Sequence, residues 1–75
     1  MTAQEWEREL CAIYADLLGI PDITPQDSFF DLGGHSLLAS KLVRRINAEF
    51  GASVPIRRIY DVPTPEALAK HLSAA

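Results

Sequence analysis

The chain has 75 residues, with 7 Lys and Arg against 10 Asp and Glu, and is 48% apolar and 23% charged. Such a chain reads as one small soluble domain over residues 1–75, and a domain of this size buries only about 60% of its unfolded surface, so a deep substrate pocket is not expected. The net charge of −3 argues against a nucleic-acid surface, and no apolar run approaches the ~18 residues of a membrane span. The same charge is compatible with a partner carrying a basic patch, and equally with an ordinary solvated surface. No charged-then-apolar leader opens the chain. Cys11 is the one cysteine, which excludes an internal disulfide and suits a reducing cytoplasm. Together with His35 and His71 it makes too small a set for a structural zinc site.

Thr2 and Glu5 match a capping box and start a helix. Trp6, Leu10, Ile13, Tyr14 and Leu17 follow at helical spacing and form one apolar stripe. Gly19 and Pro21 end it. Cys11 borders that stripe and reads as a small packing residue rather than a reactive thiol.

Residues 19 to 35 form a long connection that holds Ile20, Ile23, Phe29, Phe30 and Leu32. Those side chains are too apolar for a solvated loop. The expectation is an ordered segment wrapped across the helices, completing their core, with a short helical turn near Asp27 to Asp31.

A second helix is expected from Ser36 to Phe50, ended by Gly51. A short third piece spans 56 to 61. Thr64 caps a last helix with Pro65 at its first position and Leu68 and Leu72 facing the core. Strand-like alternation is absent. The fold expectation is an all-α, small four-helix bundle: three main helices, one short helix and a long ordered first loop.

On the second helix, Leu38, Ala39, Leu42, Val43, Ile46 and Phe50 cluster at a mean direction about +40° from Leu42, and Leu37 lies near −140°. The core stripe is complete without Leu37, which should be exposed, either as an ordinary surface leucine or as a docking contact. Ser36 admits two readings. Its hydroxyl can cap the helix, or it can be a site of chemistry where free N–H groups and the helix dipole favour a phosphate. Gly33 and Gly34 would let a partner enzyme approach closely.

Rival chemistries fail on spacing. A hydrolase elbow needs Gly-x-Ser-x-Gly, whereas Leu38 stands in the last place and no strand precedes. A triad of Ser36, His71 and an aspartate is open by composition, with little scaffold for an oxyanion hole. His35 is too close in sequence to serve Ser36 as a base without a forced turn, and His71 reads as surface or boundary. The Gly-Lys-Ser/Thr of a phosphate loop is missing. An EF-hand loop begun at Asp27 would place Phe29 at a ligand position and Leu32 where Gly is needed. Arg44, Arg45, Arg57 and Arg58 could serve a helix-turn-helix, but read better as a solvated face.

The string DSFFDLGGHSLLASKLVRRI, residues 27 to 46, closely resembles the core motif of peptidyl carrier (thiolation) domains of nonribosomal peptide synthetases. VPIRRIYDVPTPEALA, residues 54 to 69, resembles their third- and fourth-helix segment, so the likeness covers nearly the whole chain. It implies that Ser36 carries a covalent phosphopantetheine derived from coenzyme A, attached by a phosphopantetheinyl transferase with magnesium. It implies a cytoplasmic, non-catalytic carrier, monomeric as an isolated domain. Its partners would be adenylation, condensation, tailoring or thioesterase domains, with neither nucleic acid nor membrane among them. By the same likeness Gly34, His35, Leu37, Ile56, Arg57, Ile59 and Tyr60 belong to the partner-facing surface.

Two departures stand out: Ile59-Tyr60-Asp61 where the family often has Leu-Phe-Glu, and Pro65 where an apolar residue commonly follows the threonine. His35 before the serine resembles carriers that serve condensation domains without an epimerising neighbour. The competing readings are an acyl carrier of a polyketide or fatty-acid system, a helical interaction domain in which Ser36 only caps, and a minimal serine hydrolase.

Overall fold

The computed structural model describes residues 1–74; Ala75, the last residue of the expected 1–75 domain, lies outside the described residues. Four helices follow one another: α1 (Ala3–Leu18), α2 (Ser36–Phe50), α3 (Ile56–Asp61) and α4 (Pro65–Ala74). Among the described residues there is no strand. The all-α expectation and the bounds of α2 and α3 hold.

The local signals act as read. Glu5 N–H donates to Thr2 Oγ1 at 3.1 Å and Thr2 N–H donates to Glu5 Oε1 at 2.8 Å, the reciprocal capping box. The bond from the Thr2 N–H, followed by the Thr2 hydroxyl, holds the Glu5 carboxyl below its usual pKa. Gly19 and Gly51 close α1 and α2 in the left-handed conformation. Thr64 Oγ1 accepts the Ala67 N–H at 3.1 Å, and Pro65 starts α4 where no N–H is needed.

The core is one cluster. Trp6, Leu10, Ile13 and Tyr14 of α1 meet Ala39, Leu42 and Ile46 of α2, Ile59 of α3, and Leu68 and Ala69 of α4. α1 packs on both α4 and α2, and α2 on α3. Trp6 meets Phe50 edge-on at 4.7 Å, tying the start of α1 to the end of α2. Arg45 reinforces that pairing from outside, donating to Asp16 at 2.9 Å and to Glu49 at 3.2 Å.

The long first loop is ordered by three anchors. Phe29 is fully buried, edge-on to Tyr14 at 5.1 Å. The Pro63 carbonyl accepts from both Phe29 N–H at 3.0 Å and Tyr14 Oη at 2.8 Å. Glu66 N–H donates to Pro25 O at 2.9 Å. The loop is therefore clamped onto the α3–α4 connection. Ile23 and Phe30 pack against the core; Ile20 and Leu32 are only half-buried. The helical turn expected at Asp27 to Asp31 is a turn, with a single Leu32 N–H to Ser28 O bond at 3.1 Å, and it winds no further. The reason is downstream: Gly33 takes φ +101°, which lies outside the right-handed helical region.

Candidate functional site

The turn over residues 29–34 sets where α2 begins. Gly34 N–H donates back to Phe29 O at 2.9 Å, and Gly33 N–H to Phe30 O at 3.3 Å. Gly33 sits at φ +101°, a conformation that side chains rarely adopt. Gly34 is needed for space: a Cβ there would lie 2.6 Å from Phe29 O and collide with the Phe29 ring. Gly34 is also half-buried. The absent side chain makes room for the chain's own Phe29.

His35 is extended, at φ −138° and ψ 179°, and is the N-cap of α2; its carbonyl accepts the Ala39 N–H at 2.8 Å. Its side chain makes no capping bond. Ser36 is consequently the first residue inside the helix. Its hydroxyl is exposed and, among the described residues, has no hydrogen-bond partner. The capping reading of Ser36 therefore fails, because the cap position is one residue earlier. The first-turn N–H groups of α2 lack the side-chain acceptor that caps α1 and α4. A phosphate ester on Ser36 Oγ fits this place: the oxygen is free, and the adjacent helix end carries uncompensated N–H groups and positive dipole.

Leu37 is 61% exposed, as the helical spacing required. Ile56 at 42% and Tyr60 at 52% are exposed on α3, and Arg57 is exposed between them. Ile59 is not: it is fully buried in the core. Its assignment to a partner-facing surface is corrected. In a helix of six residues one face must seat on α2, and Ile59 is the side chain that does so. Tyr60 stacks on Phe30 at 4.7 Å with 14° between the rings, so the loop that precedes Ser36 is joined to α3.

Two further groups complete the description. Asn47 was not singled out by sequence, yet its side-chain amide accepts the Val54 N–H at 2.8 Å and donates to Val54 O at 3.1 Å. That clip holds the α2–α3 connection and hence α3. The signal was available: an asparagine in mid-helix is disfavoured unless its amide has other work. Cys11 is half-buried, and burial followed by nearby Glu7 and Asp27 pushes its thiol pKa up. A raised pKa keeps the thiolate scarce, in line with a packing role. His71 is half-buried on α4, and no hydrogen bond links it to Ser36 among the described residues. No group of His, Cys, Asp and Glu among the described residues could hold a metal, and no described helix is long and apolar enough to cross a membrane.

Residues 8–72 match the family model described as a phosphopantetheine attachment site. Over 68 residues, 91% of this chain, the sequence is 50% identical to a probable non-canonical nonribosomal peptide synthetase, CymA, of Salinispora arenicola. The chain spans 1% of the length of that relative. Among solved structures, it is similar to a thiolation-reductase di-domain from an archaeal nonribosomal peptide synthetase. The TM-score there is 0.88 at 43% identity, over 92% of this chain and 14% of that one. It is also similar to a chain in the complex of the phosphopantetheine transferase Sfp with coenzyme A and a peptidyl carrier protein. There the TM-score is 0.88 at 30% identity, over 93% of this chain and 91% of that one.

Proposed function

The chain belongs to the phosphopantetheine attachment site family, and from that premise we propose that Ser36 is its attachment residue in a peptidyl carrier domain of nonribosomal peptide synthesis. The observation that carries this reading is the position of the hydroxyl. Ser36 Oγ is exposed, unbonded and one residue inside an α2 whose cap side chain is unused. An enzyme can reach that oxygen without first breaking a capping bond.

In the transfer, Ser36 Oγ would attack the coenzyme A phosphate nearest the pantetheine; the pyrophosphate P–O bond breaks, adenosine 3′,5′-bisphosphate leaves, and the hydroxyl proton passes to a base of the visiting transferase, which also brings the magnesium. When bound, the arm provides a terminal thiol on which aminoacyl or peptidyl groups are held as thioesters. The protein's own residues hold that attachment point still. Phe29 under Gly34 and the two bonds to Pro63 O fix the loop ahead of α2. The first turn of α2 presents N–H groups and positive dipole toward the phosphate.

Chemistry in this reading belongs to the visiting enzymes, and the domain is their substrate rather than a catalyst. Partners are transferase, adenylation, condensation, tailoring or thioesterase domains, and the setting is the cytoplasm. Tethering keeps the acyl group at high local concentration near each active site without a tight interface. The polyketide or fatty-acid alternative is not favoured, since the relatives named above are nonribosomal synthetases.

The test is intact-protein mass after incubation with coenzyme A, magnesium and a promiscuous phosphopantetheinyl transferase, beside Ser36→Ala. The expected result is a gain of one phosphopantetheine unit in the wild type alone. A modified Ser36→Ala protein, or an unmodified folded wild type beside a modified control carrier, overturns the assignment.

A further inference from the structure

Charge is unevenly distributed along this acidic chain. Residues 36–61, from the start of α2 to the end of α3, hold five basic residues (Lys41, Arg44, Arg45, Arg57 and Arg58) and two acidic ones, Glu49 and Asp61. The rest of the chain holds eight acidic residues and two basic ones. Two of the five cations are engaged: Arg45 with Asp16 and Glu49, and Arg58 with Asp61 at 3.7 Å. Lys41, Arg44 and Arg57 are exposed and form no ion pair among the described residues.

Two of those free cations share a stripe with the exposed leucine. Leu37, Lys41 and Arg44 are spaced i, i+4 and i+7 and so lie along one face of α2. Lys41 is about 7.5 Å and Arg44 about 12 Å along the helix axis from Ser36. A specific protein interface covers about 800 Å² of each partner, a patch roughly 16 Å in radius. This domain measures only 28 × 21 × 20 Å. Any enzyme that takes Ser36 Oγ into its active site therefore also covers Lys41, and its edge reaches Arg44. A covered cation without a counter-charge is costly.

We propose that the α2 strip Leu37–Lys41–Arg44 selects protein partners whose docking face carries carboxylates beside an apolar recess for Leu37. This rests on Ser36 being the attachment residue and adds the electrostatic character of the enzymes that act there. The whole-chain charge of −3 is compatible with a basic partner. The strip beside the serine has the opposite sign, and a docking enzyme meets the strip.

The experiment uses Sfp as the probe enzyme and measures coenzyme A-dependent modification of the wild type, Lys41→Gln/Arg44→Gln, Lys41→Glu/Arg44→Glu and Arg8→Glu, the last a charge reversal on α1. Helicity and melting temperature are recorded for each. The expected result is a rise in KM of roughly tenfold for the Glu pair, a smaller rise for the Gln pair, and no change for Arg8→Glu. The wild-type KM should rise with added salt, and that of the Glu pair should fall. Equal KM values and a flat salt response in folded variants overturn the proposal while leaving Ser36 modified and the carrier reading intact. Absence of modification in the wild type, beside a control carrier that is modified, overturns both.

Discussion

Phe29 and Gly34 occupy one another's space: the Gly34 N–H donates to Phe29 O at 2.9 Å, and the volume a Gly34 side chain would need is filled by the Phe29 ring and carbonyl. Because Phe29 is fully buried, neither partner can move aside. Gly34→Ala is expected to destabilise the fold by about 2–3 kcal/mol, the cost of overpacking against backbone. Denaturant unfolding measures this directly. A change under 0.5 kcal/mol would show that the turn relaxes freely and does not fix the start of α2.

Ser36 and Thr64 both stand at helix starts, yet only Thr64 accepts a capping N–H on its hydroxyl oxygen. Thr64→Ala should cost about 1 kcal/mol. Ser36→Ala should stay within about 0.5 kcal/mol while abolishing modification. If thermal melts show equal losses, Ser36 caps α2 in solution.

His35 occupies the cap position of α2 without a capping bond. His35→Asp in its extended backbone should raise stability by about 0.5–1 kcal/mol, through an acceptor for the first-turn N–H groups and a charge favourable to the dipole. The same carboxylate would compete with a phosphate for those groups. The variant's rate of modification should therefore fall even as its melting point rises, and a parallel rise in both would contradict the dipole's role.

Ile59 and Ile56, three residues apart on α3, should separate stability from recognition. Ile59→Ala removes a fully buried side chain and should cost about 2–4 kcal/mol. Ile56→Ala and Leu37→Ala should cost under about 0.5 kcal/mol and act instead on the KM of enzymes visiting Ser36. Calorimetry beside modification kinetics distinguishes the two classes.

Burial pushes the Tyr14 pKa well above its ordinary value of 10.0. The folded state thus disfavours the phenolate, so this contribution to stability is full below about pH 10 and is lost progressively as pH rises above it. Tyr14→Phe removes the donor to Pro63 O and should cost about 1 kcal/mol at neutral pH. It should also flatten the decline in stability above pH 10. An unaltered alkaline slope in urea titrations would assign that decline to other groups.

Much of this molecule was legible in the chain. The capping box at Thr2, the stops at Gly19 and Gly51, the Thr64-Pro65 start and the exposure of Leu37 all depend on residues within a turn or two of each other. Helical periodicity and terminal hydrogen bonding act over that range. Contacts across the fold settled the rest. Ile59 looked available because six residues of helix do not reveal which face meets α2. The packing of Gly34 on Phe29 was hidden because Phe29 reaches the site through a turn whose closure no spacing announces. Local pattern alone left Ser36 as either a cap or a site of chemistry; the Gly33–Gly34 turn makes His35 the last extended residue, so Ser36 is not the cap. Local hydrogen bonding and periodicity determine where helices begin, end and face inward. Which side chain is left free at the surface is decided only when the loop and all four helices compete for the same small core.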